Sequence, residues 1–383
     1  MESDILTKTV VPERAHEHKE RARAFADEHI EPVAGEHFDT GEYPEAVVSA
    51  AREAGLVAQE VDPDYGGAGR SLAEVVAAIE ELFRADAGVG MAIVGQSFGT
   101  EILQEFGSED KKRTYLRPVA AAGARTGMAI TEPDTGSDLT GMRTRARLDG
   151  DEWVIDGEKF WIGNGVSADW ITVYVRTDDT DDRHANHSLL VVPTDAEGYH
   201  AEHVPEKMGM RASEQAHITF EDCRVPAENL IGDRGEGFRM VATFFNHGRV
   251  RVAAHGIGLA AAAIEEAWSF VHDREEFGRS VSDFQSVQHD LAEMRTEFES
   301  ARALVWQAVQ HVKAGEDPER WAAMAKAKAT ETAAECAETA MKLHGGRGAL
   351  SGERVARVYR DVRLPMTYEG VGAVQRDIIY RHY

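Results

Sequence analysis

A change of hydrophobic period constrains this chain more than any other feature. Before about residue 120, apolar residues recur at helical spacing. "SLAEVVAAIEELFRAD" opens with Ser71 and carries Glu74 three residues on, a capping box. Leu72, Val75, Val76, Ile79 and Leu82 then share one helical face. "YPEAVVSAAREAGL" places Pro44 near its first turn and stops at Gly55. From 121 to 232 the period shortens to two. "TRARLDGDEWVIDGEKFWIGNG" alternates apolar and polar residues around Asp149-Gly150 and Asp156-Gly157, both strong hairpin dipeptides. "WITVYVRT", "HSLLVVPT" and "HITFEDCRVP" are further strand-like runs. Alanine-rich helical stretches return at 250–272, 284–313 and 319–343. The expected layout is an N-terminal helical domain (1–120), a middle antiparallel β domain (121–232) and a C-terminal helical domain (233–383).

Charge narrows the partners. The net charge is −25, and only 10 of the 42 basic residues are lysine. A field of that sign repels nucleic acid and anionic membranes. The acid is scattered, which suits a protein held in solution at high salt. No apolar run approaches a membrane span, and the stretch from Met1 to Glu20 lacks the basic and apolar regions of a secretory signal. The expectation is a soluble cytoplasmic protein, adapted to a salty cytoplasm, with an ordinary acidic protein as the alternative. Cys223 and Cys336 are 113 positions apart without a metal-ligand pattern, so two buried free thiols are expected.

Several short motifs carry chemistry only in combination. "AITEPDTGSDLTG" is a polar Pro/Gly turn able to offer hydroxyls and N–H groups to a polar ring or phosphate. "KFWIGNG" puts Trp161 at the end of a strand. "REEFGRSVSDFQ" sets Arg274, a Phe-Gly pair and Gln285 before a helix. "LHGGRGALSGERVARVYRDVRLPMTYEG" ends on an acid, Glu369, among apolar residues and glycines. Each has a bland alternative: a turn, a core tryptophan, a helix corner, an ion-paired acid. No G-x-G-x-x-G follows a strand, so a Rossmann-type site is not supported.

In this order and spacing, across essentially the whole chain, these motifs resemble the acyl-CoA dehydrogenase family. "AITEPDTGSDLTG" and "GGRGALSGERVARVYRDVRLPMTYEG" look like its two signature segments, and "REEFG…FQ" like a third recurring motif. The resemblance implies a mainly α fold with a central antiparallel β-barrel-like domain and a C-terminal four-helix bundle. It implies FAD between the β domain and the C-terminal helices. By similarity, the segment from Met128 to Ser137 lines the flavin, with Ile130 and Thr131 at the pyrimidine edge and Ser137 reaching both cofactor and acyl-CoA. Trp161 and Gly163 lie beside the ring. Arg274, Phe277, Phe284 and Gln285 serve the pyrophosphate and adenine of a neighbouring subunit, which implies a homo-oligomer, usually a tetramer. Lys342 and Gly346 approach the same pyrophosphate, and Val371 and Ala373 the adenosine end. Asn246 and Arg249 line the substrate channel, while Tyr368 and Gly370 flank the thioester.

Glu369 aligns with the family's base. The resemblance implies that it removes the α-proton, that flavin N5 takes the β-hydride, and that a trans-2-enoyl-CoA results. The electrons then pass to an electron-transfer flavoprotein. Some relatives carry the base on the helix before the channel arginine, but "FFNHGRV" has no carboxylate there. The chain departs from the family at Gly163, where a hydroxyl residue is usual, and at Lys342, Val371 and Ala356. An oxidase or monooxygenase on the same scaffold, read out by oxygen consumption, stays an alternative. So does a non-catalytic flavin- or CoA-binding protein on this fold, favoured if the purified protein stays colourless after reconstitution with FAD. "GVGMAIVGQSFG" (88–99) carries no charge, so a neutral acyl chain is expected.

Overall fold

The computed structural model describes residues 11–383. The reading of the N-terminal segment as lacking a secretory signal therefore rests, for residues 1–10, on positions outside those described. The helices that build the site are α1 (Glu13–Phe25), α2 (Glu45–Glu53), α3 (Leu72–Ala85), α4 (Ala87–Val94) and α5 (Thr100–Phe106), followed after a sheet by α6 (Gly237–Asp273), α7 (Gln285–Lys313), α8 (Glu319–His344), α9 (Arg354–Asp361) and α10 (Gly372–Arg381). The capping box forms: the Ser71 N–H and hydroxyl both donate to the Glu74 carboxylate, at 3.0 and 2.8 Å.

The middle of the chain is one sheet in the order β6-β7-β3-β2-β4-β5-β8, with β1 beside β4. The strands are β1 (Thr126–Ala129), β2 (Arg145–Asp149), β3 (Glu152–Gly163), β4 (Trp170–Arg176), β5 (His187–Pro193), β6 (Tyr199–His203), β7 (Gln215–Pro226) and β8 (Leu230–Ile231). Most neighbours are antiparallel, but β1 and β2 each pair with β4 in parallel. The purely antiparallel expectation is corrected there, because neither strand joins β4 through a tight turn.

One of the two expected hairpins forms. Asp149 pairs with Glu152 across a two-residue loop in which Gly150 has φ +68°. Asp156-Gly157 makes no turn. It lies inside β3 at a register shift against β7, and Gly157 has φ +138°. A Cβ there would meet the Thr144 Cα at 2.7 Å, so the glycine serves a bulge and a close backbone approach.

The two cysteines are free and buried, as expected. Among the described residues no helix is long and apolar enough to cross a membrane. The long helices approach closely where α6 carries small residues. A Cβ on Gly256 would sit 2.7 Å from the Ala329 main-chain carbon and oxygen on α8. Gly256→Ala is therefore expected to force the helices apart. Overpacking costs about 1–3 kcal/mol, against a helix-propensity gain of about 1 kcal/mol. A lowered Tm in a thermal melt checks this; an unchanged or raised Tm would show that the two backbones can part freely.

Candidate active site

Glu369 sits in the turn between α9 and α10, half-buried, with φ +51°; Gly370 follows with φ +92°. Two successive left-handed residues turn the Glu369 side chain back onto α6. There it meets Gly248, where a Cβ would lie 2.2 Å from Glu369 Oε2 and 2.7 Å from Cδ. The missing side chain at 248 is the space the carboxylate occupies. Glu369 Oε2 is buried without a hydrogen-bond partner. Burial pushes its pKa up to about 7, although Arg251 and Arg249 pull it down and Glu101 adds to the rise. A carboxylate so placed is a base near neutral pH and has no structural partner.

Several side chains around Glu369 escaped the sequence reading. Arg251 ion-pairs with Glu60 and Glu101, so charge lies beside the uncharged 88–99 stretch. His255 stacks on Phe83 (centroids 3.9 Å apart) and hydrogen-bonds the Tyr368 hydroxyl at 2.9 Å. Burial drives the His255 pKa down to about 3, so it is neutral. Lys326 and Gln375 reach the turn from α8 and α10. Each carries an ordinary helical residue's signature in the sequence. Only the helix crossing brings them to position 369.

The expected substrate residues cluster here. Arg249 is 6% exposed, donates to Asn246 Oδ1 at 2.9 Å, and has its pKa lowered by burial against the pull of Glu369. Tyr368 and Gly370 adjoin Glu369 in the chain. Among the described residues, the Glu369 main-chain N–H meets no acceptor.

The β-domain residues form a second group. Phe160 N–H donates to the Thr131 carbonyl at 2.8 Å, which sets Trp161 beside the 129–141 turn. Trp161 is 54% exposed with φ +63°, a rare conformation for an aromatic residue and one that clusters at functional sites. It is therefore no core tryptophan. The hydroxyls of Thr131 and Ser137 make no hydrogen bond among the described residues. Met128 and Ile130 are buried. Fully buried Lys159, also missed in the sequence, holds this turn through Ile130 O at 2.8 Å and Glu132 at 2.9 Å. An exposed indole beside free hydroxyls fits a flat polar ring such as a flavin. A Cβ on Gly163 would meet only Gln215 Nε2, at 3.8 Å, so the space for the usual hydroxyl is present and empty.

The third group lies at the outer corner of the C-terminal helices. A two-stranded hairpin, β9 (Glu275–Glu276) and β10 (Arg279–Ser280), carries Phe277 at its tip, 94% exposed with φ +55°. Its ring meets Phe284 edge-on at 6.2 Å, next to Gln285 at the start of α7. Arg274 pairs with Glu276, and Lys342 with Asp290 at 2.9 Å. Gly346, Val371 and Ala373 are exposed. This group does not join the Glu369 cluster through any side-chain bond among the described residues.

A helical layer, a mixed sheet and a second helical layer, closing on a glutamate seated against a glycine, match three family models in chain order. They are the acyl-CoA dehydrogenase N-terminal domain (residues 12–123), middle domain (127–223) and C-terminal domain (235–383). The chain belongs to the acyl-CoA dehydrogenase family, whose members are FAD-binding oxidoreductases. It is 35% identical over 373 residues to the probable acyl-CoA dehydrogenase FadE25 of Mycobacterium tuberculosis, covering 97% of this chain and 95% of that one. Butyryl-CoA dehydrogenase from Megasphaera elsdenii superposes with a TM-score of 0.93 at 28% identity, covering 100% and 99% of the two chains. A glutaryl-CoA dehydrogenase from Mycobacterium smegmatis in complex with FADH2 superposes at 0.92 with 27% identity, covering 98% and 96%.

Proposed function

We propose that this chain oxidises an acyl-CoA thioester to the trans-2-enoyl-CoA with FAD as cofactor, Glu369 removing the α-proton. The observation that carries this reading is the unpartnered Glu369 carboxylate, held against Gly248 with its pKa raised to about 7. An α C–H of a thioester is a weak acid. Its removal needs a base within reach and donors for the enolate oxygen. The free N–H of Glu369 is placed to be one such donor. Arg249 and Asn246 line the approach, and Tyr368 helps keep the base dry.

Thr131, Ser137, Trp161 and the backbone at Gly163 would hold the flavin ring. Arg274, Phe277, Phe284, Gln285, Lys342, Gly346, Val371 and Ala373 would serve its adenosine diphosphate end. FAD, when bound, supplies the hydride acceptor. The exposed Phe277 hairpin supports a partner subunit, and we assign a homotetramer. We take an electron-transfer flavoprotein as the electron acceptor.

Anaerobic bleaching of the flavin by a panel of acyl-CoAs, at low and high salt, tests the function. The bleaching rate is expected to rise with pH and to level off above about 7. The sign follows from the base: below its pKa the carboxyl already holds a proton and cannot take another. A rate that falls as pH rises through 7 would remove Glu369 from this role. The open position at Gly163 gives an oxidase reading its footing, and rapid oxygen uptake during turnover would favour it.

A further inference from the structure

We propose that Lys326 and Gln375 are positioning residues that clamp the Glu369–Gly370 turn and so aim the Glu369 carboxylate. The inference rests on Glu369 being the base. The turn places two left-handed residues in succession. Glutamate has no intrinsic preference for that region, so surrounding contacts must hold it there. The left-handed turn directs main-chain carbonyls inward, where each needs a donor. Lys326 Nζ donates to the carbonyls of Gly370 at 2.6 Å and Met366 at 3.3 Å. Gln375 Nε2 donates to the carbonyls of Glu369 and Gly370, both at 2.9 Å. Lys326 is 1% exposed and Gln375 is wholly buried.

The donors come from different elements: Gln375 from α10, which directly follows the turn, and Lys326 from α8, more than 40 residues earlier. They therefore tie the turn both to its own next helix and to a remote one. A surface turn of this shape would need neither. Lys326 is the less expected choice. Burying an ammonium is costly, and among the described residues it has no carboxylate partner. A neutral donor would satisfy the carbonyls equally well. What the cation adds is a positive charge bonded to the carbonyl of the next residue, Gly370, where it favours the Glu369 carboxylate alongside the stronger pull of Arg251 and Arg249 and against the opposing charge of Glu101. The two residues thus divide the task. Gln375 supplies geometry alone, and Lys326 supplies geometry and charge.

The test uses the FAD-loaded enzyme and stopped-flow anaerobic flavin reduction across pH. Lys326→Met keeps the bulk of the side chain and removes its donors and charge. The limiting reduction rate is expected to fall about 10–100-fold, the order a small misplacement of a reacting group produces. The pH midpoint should move upward, because the carboxylate loses a stabilising cation. Gln375→Leu should lower the rate similarly with no shift of midpoint. FAD content and binding of a non-oxidisable acyl-CoA thioether should stay within about twofold of wild type, since neither residue is placed against cofactor or substrate. Lys326→Arg, which keeps a cation, should show a smaller midpoint shift than Lys326→Met. An unchanged rate and midpoint in Lys326→Met overturns the proposal, as does a loss lying wholly in thioether binding. If Lys326→Met fails to fold, an unchanged rate in Gln375→Leu overturns it. Glu369→Gln, run alongside, separates the two failures: persistent bleaching in that variant removes the base itself, whatever the other variants do.

Discussion

Glu369→Gln is expected to lower anaerobic flavin reduction by about 10²–10⁴-fold, the usual worth of a positioned general base. FAD content and acyl-CoA binding should persist, because glutamine keeps the volume and the main-chain N–H at 369. The same variant should not be less stable. The folded-state pKa of Glu369 lies well above that of an ordinary carboxylate. The stability such a group contributes is therefore present at acid pH and lost as pH rises through about 7. Removing the carboxylate should leave the Tm at pH 8 equal to or above that of the parent. A variant that loses activity and melts earlier at pH 8 would point to a structural acid. Retained bleaching would show that the α-proton goes elsewhere.

Gly248→Ala should cost nearly as much from the opposite side of the contact. The new Cβ would lie 2.2 Å from Glu369 Oε2 and 2.8 Å from Oε1. The clashing atoms are the far end of a flexible side chain, so the fold tolerates the change while the carboxylate swings away. A displacement of about 1 Å at a reacting group can cost about 10²-fold. The expected result is a fall of that order in flavin reduction with little change in Tm. Reduction within a few-fold of the parent would mean that the carboxylate works from a different rotamer.

Much of this was open to sequence reasoning because it is local. The β segment declared itself through alternation, and Asp149-Gly150 made its hairpin. Glu369 stood out as an acid in an apolar, glycine-flanked turn. The misreading at Asp156-Gly157 has a local cause too: Asp-Gly permits positive φ, and a bulge needs that as much as a hairpin does. Only the partner strand decides, and Thr144 is close to Gly157 solely in three dimensions. The supporting residues lay beyond reach for the same reason. Lys326, in "MAKAKAT", reads as one solvent-facing lysine among several, yet α8 buries it. Arg251 meets Glu60 across 191 positions. Trp161 is a strand aromatic in composition and an exposed, left-handed one in fact.

The seat at Gly248 also bears on ancestry. A side chain at 248 and the Glu369 carboxylate cannot share the space there. A lineage that moved its base from the turn to the helix could not do so by single neutral steps. It would pass through a chain with two acids in one space, or through a chain with none. Which element holds the acid should then behave as a slowly changing, heritable character that divides descendants into clades, even where the acyl groups they consume have converged.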